Sequence, residues 1–223
     1  MTQLVIVLTV VFAFVLWLMY RRHHRQTMQD RAGFLSESHK VIDIKQSRLD
    51  KAGFHQVQGE FFEHPVTLKL EIDSLTPRKL PIIWLHVTMQ RKTAGQESLD
   101  MLMRPQPGDI FSPGWNWHKT VLPPKHWPQH ARYATQGRVP ELQTIDSDVS
   151  TIFADQRAKE LLIMPEYVRL TYLVRQADRG HYLLLRSADF DMTPIDPAEI
   201  GALLRQLQIL MGHLEGIDYE SAA

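Results

Sequence analysis

Cysteine is absent from all 223 residues. That single absence excludes disulfides, thiolate zinc sites, cysteine-held iron–sulfur clusters and cysteine nucleophiles. Glycine is scarce, with 11 in the whole chain, and none sits in a Gly-x-x-x-x-Gly-Lys phosphate cradle; Gly-x-Ser-x-Gly and His-Glu-x-x-His are missing as well. An enzymatic role therefore stays open but unsupported, no small-molecule substrate is indicated, and no cofactor is called for. Net charge is also missing: 25 basic and 25 acidic residues cancel, which argues against nucleic acid as a partner, since that role needs a basic surplus. Two local absences are more telling. Residues 1–20 hold no charged side chain or histidine, and residues 110–140 hold no acid.

The uncharged N-terminal run reads as a membrane anchor. From Leu4 to Tyr20 it is almost continuously apolar, and twelve of its residues are Leu, Ile, Val or Phe. At about 1.5 Å per residue such a helix spans roughly the 30 Å hydrocarbon layer. Those twelve side chains favour insertion by roughly 4–7 kcal/mol on a scale that applies at the helix centre. Trp17 and Tyr20 stand where an interfacial aromatic belt belongs, and Arg21, Arg22 and Arg25 follow as a stop signal. A cleaved signal peptide fits less well, because no basic residue precedes the run and bulky Leu16-Trp-Leu-Met-Tyr20 occupies the place of a small-residue cleavage site. With cations on the C-terminal flank only, the expectation is a single-pass protein of a bacterial inner membrane, its N-terminus outside and residues 21–223 cytoplasmic.

The expected division is an anchor at 1–20, a juxtamembrane basic segment and helix at 21–53, a soluble α+β domain at 54–216 and a frayed tail at 217–223. Within 21–53, Gln26 to Ala52 reads as mostly helical, closed by Gly53. Period-two alternation marks Val66–Asp73 and Ile82–Gln90 as strands, with a turn at Pro77–Pro81 between them; His55–Phe62 leads into the first and a shorter strand around Leu99–Met103 follows a loop at Thr93–Gly95, all forming an antiparallel meander. A helix is expected from Asp148 to about Leu162, and a hairpin from Tyr167–Val174 through Gly180 to His181–Arg186. The last helix is the clearest element: Asp196 caps it, Pro197 takes the first position, Glu199 completes a capping-box pattern, and Ile200, Leu203, Leu204, Leu207, Leu210, Met211 and Leu214 form one stripe. The fold class is α+β: one N-terminal transmembrane helix, then a mainly antiparallel sheet with packed helices.

The acid-free stretch Ile110–Pro140 carries the candidate interface. Trp115, Trp117, Lys119, Lys125, Trp127, Arg132 and Tyr133 mix aromatic rings with cations, a composition that suits a membrane interface, an anionic ligand or a protein partner. The competing reading is a long loop that packs its own aromatics against the sheet. His118, His126 and His130 lie in it without a neighbouring carboxylate, so no metal site is assigned. Asp189, Asp191 and Asp196 lack the spacing of a calcium loop. Residues 21–140 carry 18 Lys and Arg against 11 Asp and Glu, and residues 141–223 carry 7 against 14. Basic surface toward anionic lipid and internal complementarity both account for that asymmetry.

Gly59, Phe62-x-x-His64-Pro-Val-Thr-Leu-Lys-Leu70, Phe111 to Tyr133, Arg157 to Leu173 and the terminal helix together loosely resemble a diffuse group of bacterial membrane-tethered α+β domains of unknown function. The resemblance covers element order over most of residues 55–215 and implies the fold and the membrane location, but carries over no functional residue. The expected function is a membrane-anchored accessory or scaffold protein docking on an integral membrane complex or on the lipid surface. The alternative is a membrane-associated enzyme or small-ligand-binding domain with a pocket between sheet and C-terminal helix.

Overall fold

The computed structural model describes residues 2–73, 80–186 and 188–216. Most of the expected turn at 77–81 and all of the tail at 217–223 lie outside the described residues. The first helix, α1 (Thr2–Gly33), does not stop at the basic cluster; it continues unbroken through Arg21–Arg25 for 32 residues. It is long and apolar enough to cross a membrane. At its foot the chain turns into the domain through Phe34, which is fully buried.

The junction is packed rather than flexible. Phe34 meets Phe54 edge-on at 6.1 Å, its carbonyl accepts from the Ile195 amide at 3.1 Å, and the Arg175 guanidinium lies 5.3 Å above its ring. Arg31 covers Phe54 at 5.5 Å and donates to the Ala52 carbonyl at 2.7 Å. Gly53 has φ of +92°, and a Cβ there would come within 2.5 Å of the Met28 sulfur. Only glycine meets both demands.

Among the described residues nine strands form one antiparallel sheet: β1 (Asp43–Leu49), β2 (His55–Phe61), β3 (His64–Asp73), β4 (Ile82–Gln90), β5 (Leu99–Met103), β6 (Lys119–Thr120), β7 (Ala131–Thr135), β8 (Ala158–Ile163) and β9 (Tyr167–Gln176). Their order is β1-β2-β3-β4-β9-β8-β5-β7-β6. Two helices, α2 (Asp146–Ala154) and α4 (Pro197–Glu215), cover one face, and α3 (Arg179–Leu185) stands at the end of β9. The architecture is α+β, as the sequence pattern predicts.

Four local expectations give way. Asp43–Leu49 is an edge strand paired with β2, not part of a helix, and Gly53 closes their connection instead of a helix end. The helix at 146–154 is short, its N-cap is Ile145, and Ala158–Ile163 leaves it as a strand buried at every position. Tyr167–Gln176 pairs with β8 and β4; the expected second arm, His181–Arg186, is mostly helix α3 with Asp178 as its cap. Finally β5 is no neighbour of β4, because β9 and β8 insert between them.

The terminal helix is as read. Asp196 accepts from the Ala198 amide at 2.9 Å and Gly216 ends the helix at φ of +70°. Glu199, however, does not complete a capping box; its carboxylate accepts from Arg157 at 2.7 Å. Leu203, Leu204, Leu207, Leu210 and Met211 are buried against the sheet, each worth roughly 1.5–3 kcal/mol relative to exposure. His213 pairs with Asp148 at 2.7 Å and ties α4 to α2.

Candidate functional site

The stretch Ile110–Pro140 straddles both faces of the sheet's far edge. Trp127 and Tyr133 belong to the main core, with rings 5.7 Å apart. Their polar ends are satisfied inside the fold: the Trp127 indole donates to Asp146 at 2.6 Å, and the Tyr133 hydroxyl donates to the Pro128 carbonyl at 2.9 Å. Trp117 is buried on the other face with Ala134 and Leu162. These three rings pack the domain and are not available to a partner, which corrects their place in the expected interface.

What remains outside is smaller. Trp115 is partly exposed under the Arg132 guanidinium, 5.1 Å from its ring, and Arg132 also donates to the Trp117 carbonyl at 3.0 Å. Lys119, Lys125, Ile110 and Leu122 are exposed. His126 lies 2.7 Å from Asp146, a carboxylate that folding brings from outside the loop; the Trp127 indole and then His126 hold that acid below its usual range. His118 and His130 are exposed. On α1, Arg21 lies 5.3 Å over Trp17, Tyr20 stacks on His24, and Arg22 and Arg25 are exposed.

The sequence reading misses a row of polar side chains across the second face. Strand register sets Lys69 beside His86, His86 beside Thr171 and Thr171 beside Glu160. Glu160 is fully buried. It receives the Arg169 guanidinium at 2.9–3.2 Å and lies 2.8 Å from the Thr171 hydroxyl, which lies 3.0 Å from His86 Nδ1. On its far side His86 Nε2 has no hydrogen-bond partner and stands 3.6 Å from the Glu71 carboxylate, which Lys69 reaches at 3.1 Å. One strand over, Asp100 is buried and accepts from the Gly114 amide at 2.8 Å and from the Ser112 hydroxyl. A Cβ on Gly114 would strike that carboxylate at 2.1 Å. Arg169 also donates to the Phe111 carbonyl at 2.9 Å, so the loop is clamped onto the row. A cleft of about 360 Å³ opens over it, lined by Gln56, Thr67, Glu71, His86, Phe111 and Arg169 among others.

Burial dominates the electrostatics. It raises Glu160 to about 7, opposed by Arg169 and helped by nearby Asp100. Burial likewise raises Asp100 and pushes His86 down, whereas Glu71 is held at about 2, first by His86 and then, against burial, by Lys69. The hydrogen-bond chain has two directions. With Glu160 ionised, Thr171 donates to it, His86 donates through Nδ1, and Nε2 presents a lone pair to Glu71. With Glu160 protonated the order reverses, and His86 turns an Nε2–H toward Glu71.

Elsewhere Lys159, buried, pairs with Asp109 at 2.7 Å and donates to the Met103 and Arg104 carbonyls at 2.9 and 3.0 Å, pinning the start of the loop. Leucines of α4 fill much of the space against the sheet, but a pocket of about 360 Å³ opens between sheet and α4, where the alternative reading looked for one, lined by Asp155, Arg157, Tyr172, Asp196 and Glu199 among others; it is as large as the cleft over the polar row. Among the described residues no group of three or more His, Asp or Glu could hold a metal ion.

No family model matches this sequence, and no curated protein matches it. Among solved structures it is similar to the crystal structure of the mycobacterial trehalose monomycolate transport factor A, TtfA, with 12% identity and a TM-score of 0.47 over 86% of this chain and 97% of that one. At that distance no residue role passes between them.

Proposed function

We propose that this chain is a single-pass accessory protein of a bacterial inner membrane, its domain held on the cytoplasmic side and docking on a larger membrane assembly. The observation that carries the reading is the unbroken run of α1 from its apolar span into the packed junction at Phe34. A rigid shaft of this kind positions a domain at a set height and angle, which suits a scaffold. The surface offered to a partner is the exposed remainder of the loop: Ile110, Trp115 and Leu122 with Lys119 and Lys125. Replacing Ile110, Trp115 and Leu122 by Ser should abolish co-purification of partners from detergent-solubilised membranes without lowering the unfolding temperature. Unchanged co-purification sinks this surface.

A second reading, a small-ligand-binding domain, draws on the cleft at His86 and Glu71, with its unpartnered buried Nε2. A thermal-shift screen of small polar compounds on the full chain tests it, since a true ligand loses its effect in His86→Ala. A screen with no hit that depends on His86 removes the reading.

A further inference from the structure

The geometry points to a second contact with the membrane: Leu183 and Leu184, adjacent on α3, rest against the headgroup layer beside the helix that crosses it. The inference rests on the anchor reading of α1. Every described side chain of α3 is exposed except Tyr182, which is half-buried; Leu183 is 58% and Leu184 83% exposed. A helix of seven residues has little stability of its own in water, and paired leucines on its outer side call for an apolar surface.

Position identifies that surface. The β9 strand ends where β4 begins, Gln176 opposite Ile82, with the Ala177 amide donating to the Pro81 carbonyl at 2.8 Å. Asp73, at the end of β3, is opposite Ile82 as well, so this is the end of the sheet that also carries the β1–β2 turn. That turn receives Arg31 from α1. Arg175, four residues before α3, covers Phe34 at the foot of α1. Thus α3 stands beside the shaft, at the membrane-facing rim, where Leu49 at the end of β1 is exposed too.

Height agrees. From Tyr20 to Met28, which packs on Gly53, the helix rises about 12 Å, and the headgroup layer takes up roughly 5–8 Å of that. The gap left is less than the width of one helix, about 10 Å. The surrounding carboxylates are engaged within the fold: Asp178 caps α3 through the His181 amide at 2.7 Å, Asp189 pairs with His181 at 2.8 Å, and Asp191 accepts from the Thr193 amide at 3.0 Å. The contact is therefore apolar in kind, unlike the salt-sensitive attraction of Arg21, Arg22 and Arg25 to anionic lipid.

A chain without cysteine makes the test direct. Leu184→Cys, Phe12→Cys in the span and Phe62→Cys at the opposite end of the sheet are each labelled with an environment-sensitive fluorophore. The full-length proteins are then placed in phosphatidylcholine–phosphatidylglycerol nanodiscs with shallow nitroxide-labelled lipid, which reads positions 184 and 62, and in parallel with lipid labelled deep in the acyl chain, which reads position 12. We expect strong quenching at 12, several-fold more quenching at 184 than at 62, and little at 62. Equal quenching at 184 and 62 with strong quenching at 12 overturns the α3 contact and leaves the anchor standing. No quenching at 12 overturns both.

Discussion

On one face of the sheet Leu85, Val87, Leu161 and Leu170 join the leucines of α4 in a single apolar core. On the other, the residues that alternate with them, His86, Glu160 and Thr171, are buried just as deeply but as a connected polar row under Arg169. An apolar core gains from each methylene removed from water and is indifferent to pH. A buried polar row gains only while every member keeps its partner, and it answers to protons. The sheet therefore separates a face whose contribution to stability is independent of pH from a face whose contribution depends on it.

The comparison breaks hardest at Arg169. At pH 8, Arg169→Met should cost about 3–5 kcal/mol in urea unfolding, because Glu160 and Asp100 lose their shared cation, and the loss should shrink below pH 7 as Glu160 takes a proton. A loss under about 1 kcal/mol would show that the row is no energetic unit. Leu204→Ala on the opposite face should cost about 2–5 kcal/mol, equally at every pH; a pH-dependent loss would mean the two faces are coupled. Glu160→Gln then isolates the proton. The folded pKa of about 7 lies above the ordinary 4.5, so the stability Glu160 contributes is full below pH 4.5 and is lost as pH rises through about 7. Wild type minus variant should fall across that window, and a flat difference would place Glu160 in an ordinary carboxylate environment. Glu71→Gln has the smallest effect, under about 1 kcal/mol because Glu71 is partly exposed. Its sign is opposite: Glu71 sits at about 2, so its contribution is present above pH 4.5 and disappears as pH falls through about 2.

Strands 55–61 and 64–73 are legible because one side of each is buried and the other is wetter, so a period of two survives in the residues; 82–90, buried on both sides over most of its length, still alternates in sequence, and 99–103, buried at all five positions, is legible only from its apolar residues after a loop. The terminal helix was legible because Asp196, Pro197 and Gly216 mark both its ends. Asp43–Leu49 was not, since six of its seven residues are exposed and nothing alternates. Ala158–Ile163 failed for the opposite reason: it is buried at all six positions, and Ala, Lys, Glu and Leu are strong helix formers. That misreading hid the polar row, because it put Glu160 on a helix when its partners His86, Arg169 and Thr171 lie on strands. The clue available was Lys and Glu inside an apolar run. In the loop, hydrophobic side chains announce burial as readily as binding, and only the packing of Trp117, Trp127 and Tyr133 separates the two.

The unbroken shaft of α1 has one further consequence, which concerns heading. Each residue of an α-helix advances the chain about 1.5 Å and turns it about 100°, so a chain that stays helical from the bilayer to Phe34 transmits azimuth as well as height. Two residues inserted after Arg25 would swing the domain to face nearly backwards, while four would restore its bearing about 6 Å farther out. If docking depends on direction, tolerance to such insertions will rise and fall with the helical repeat, as the cut of a key depends on how its stem is turned.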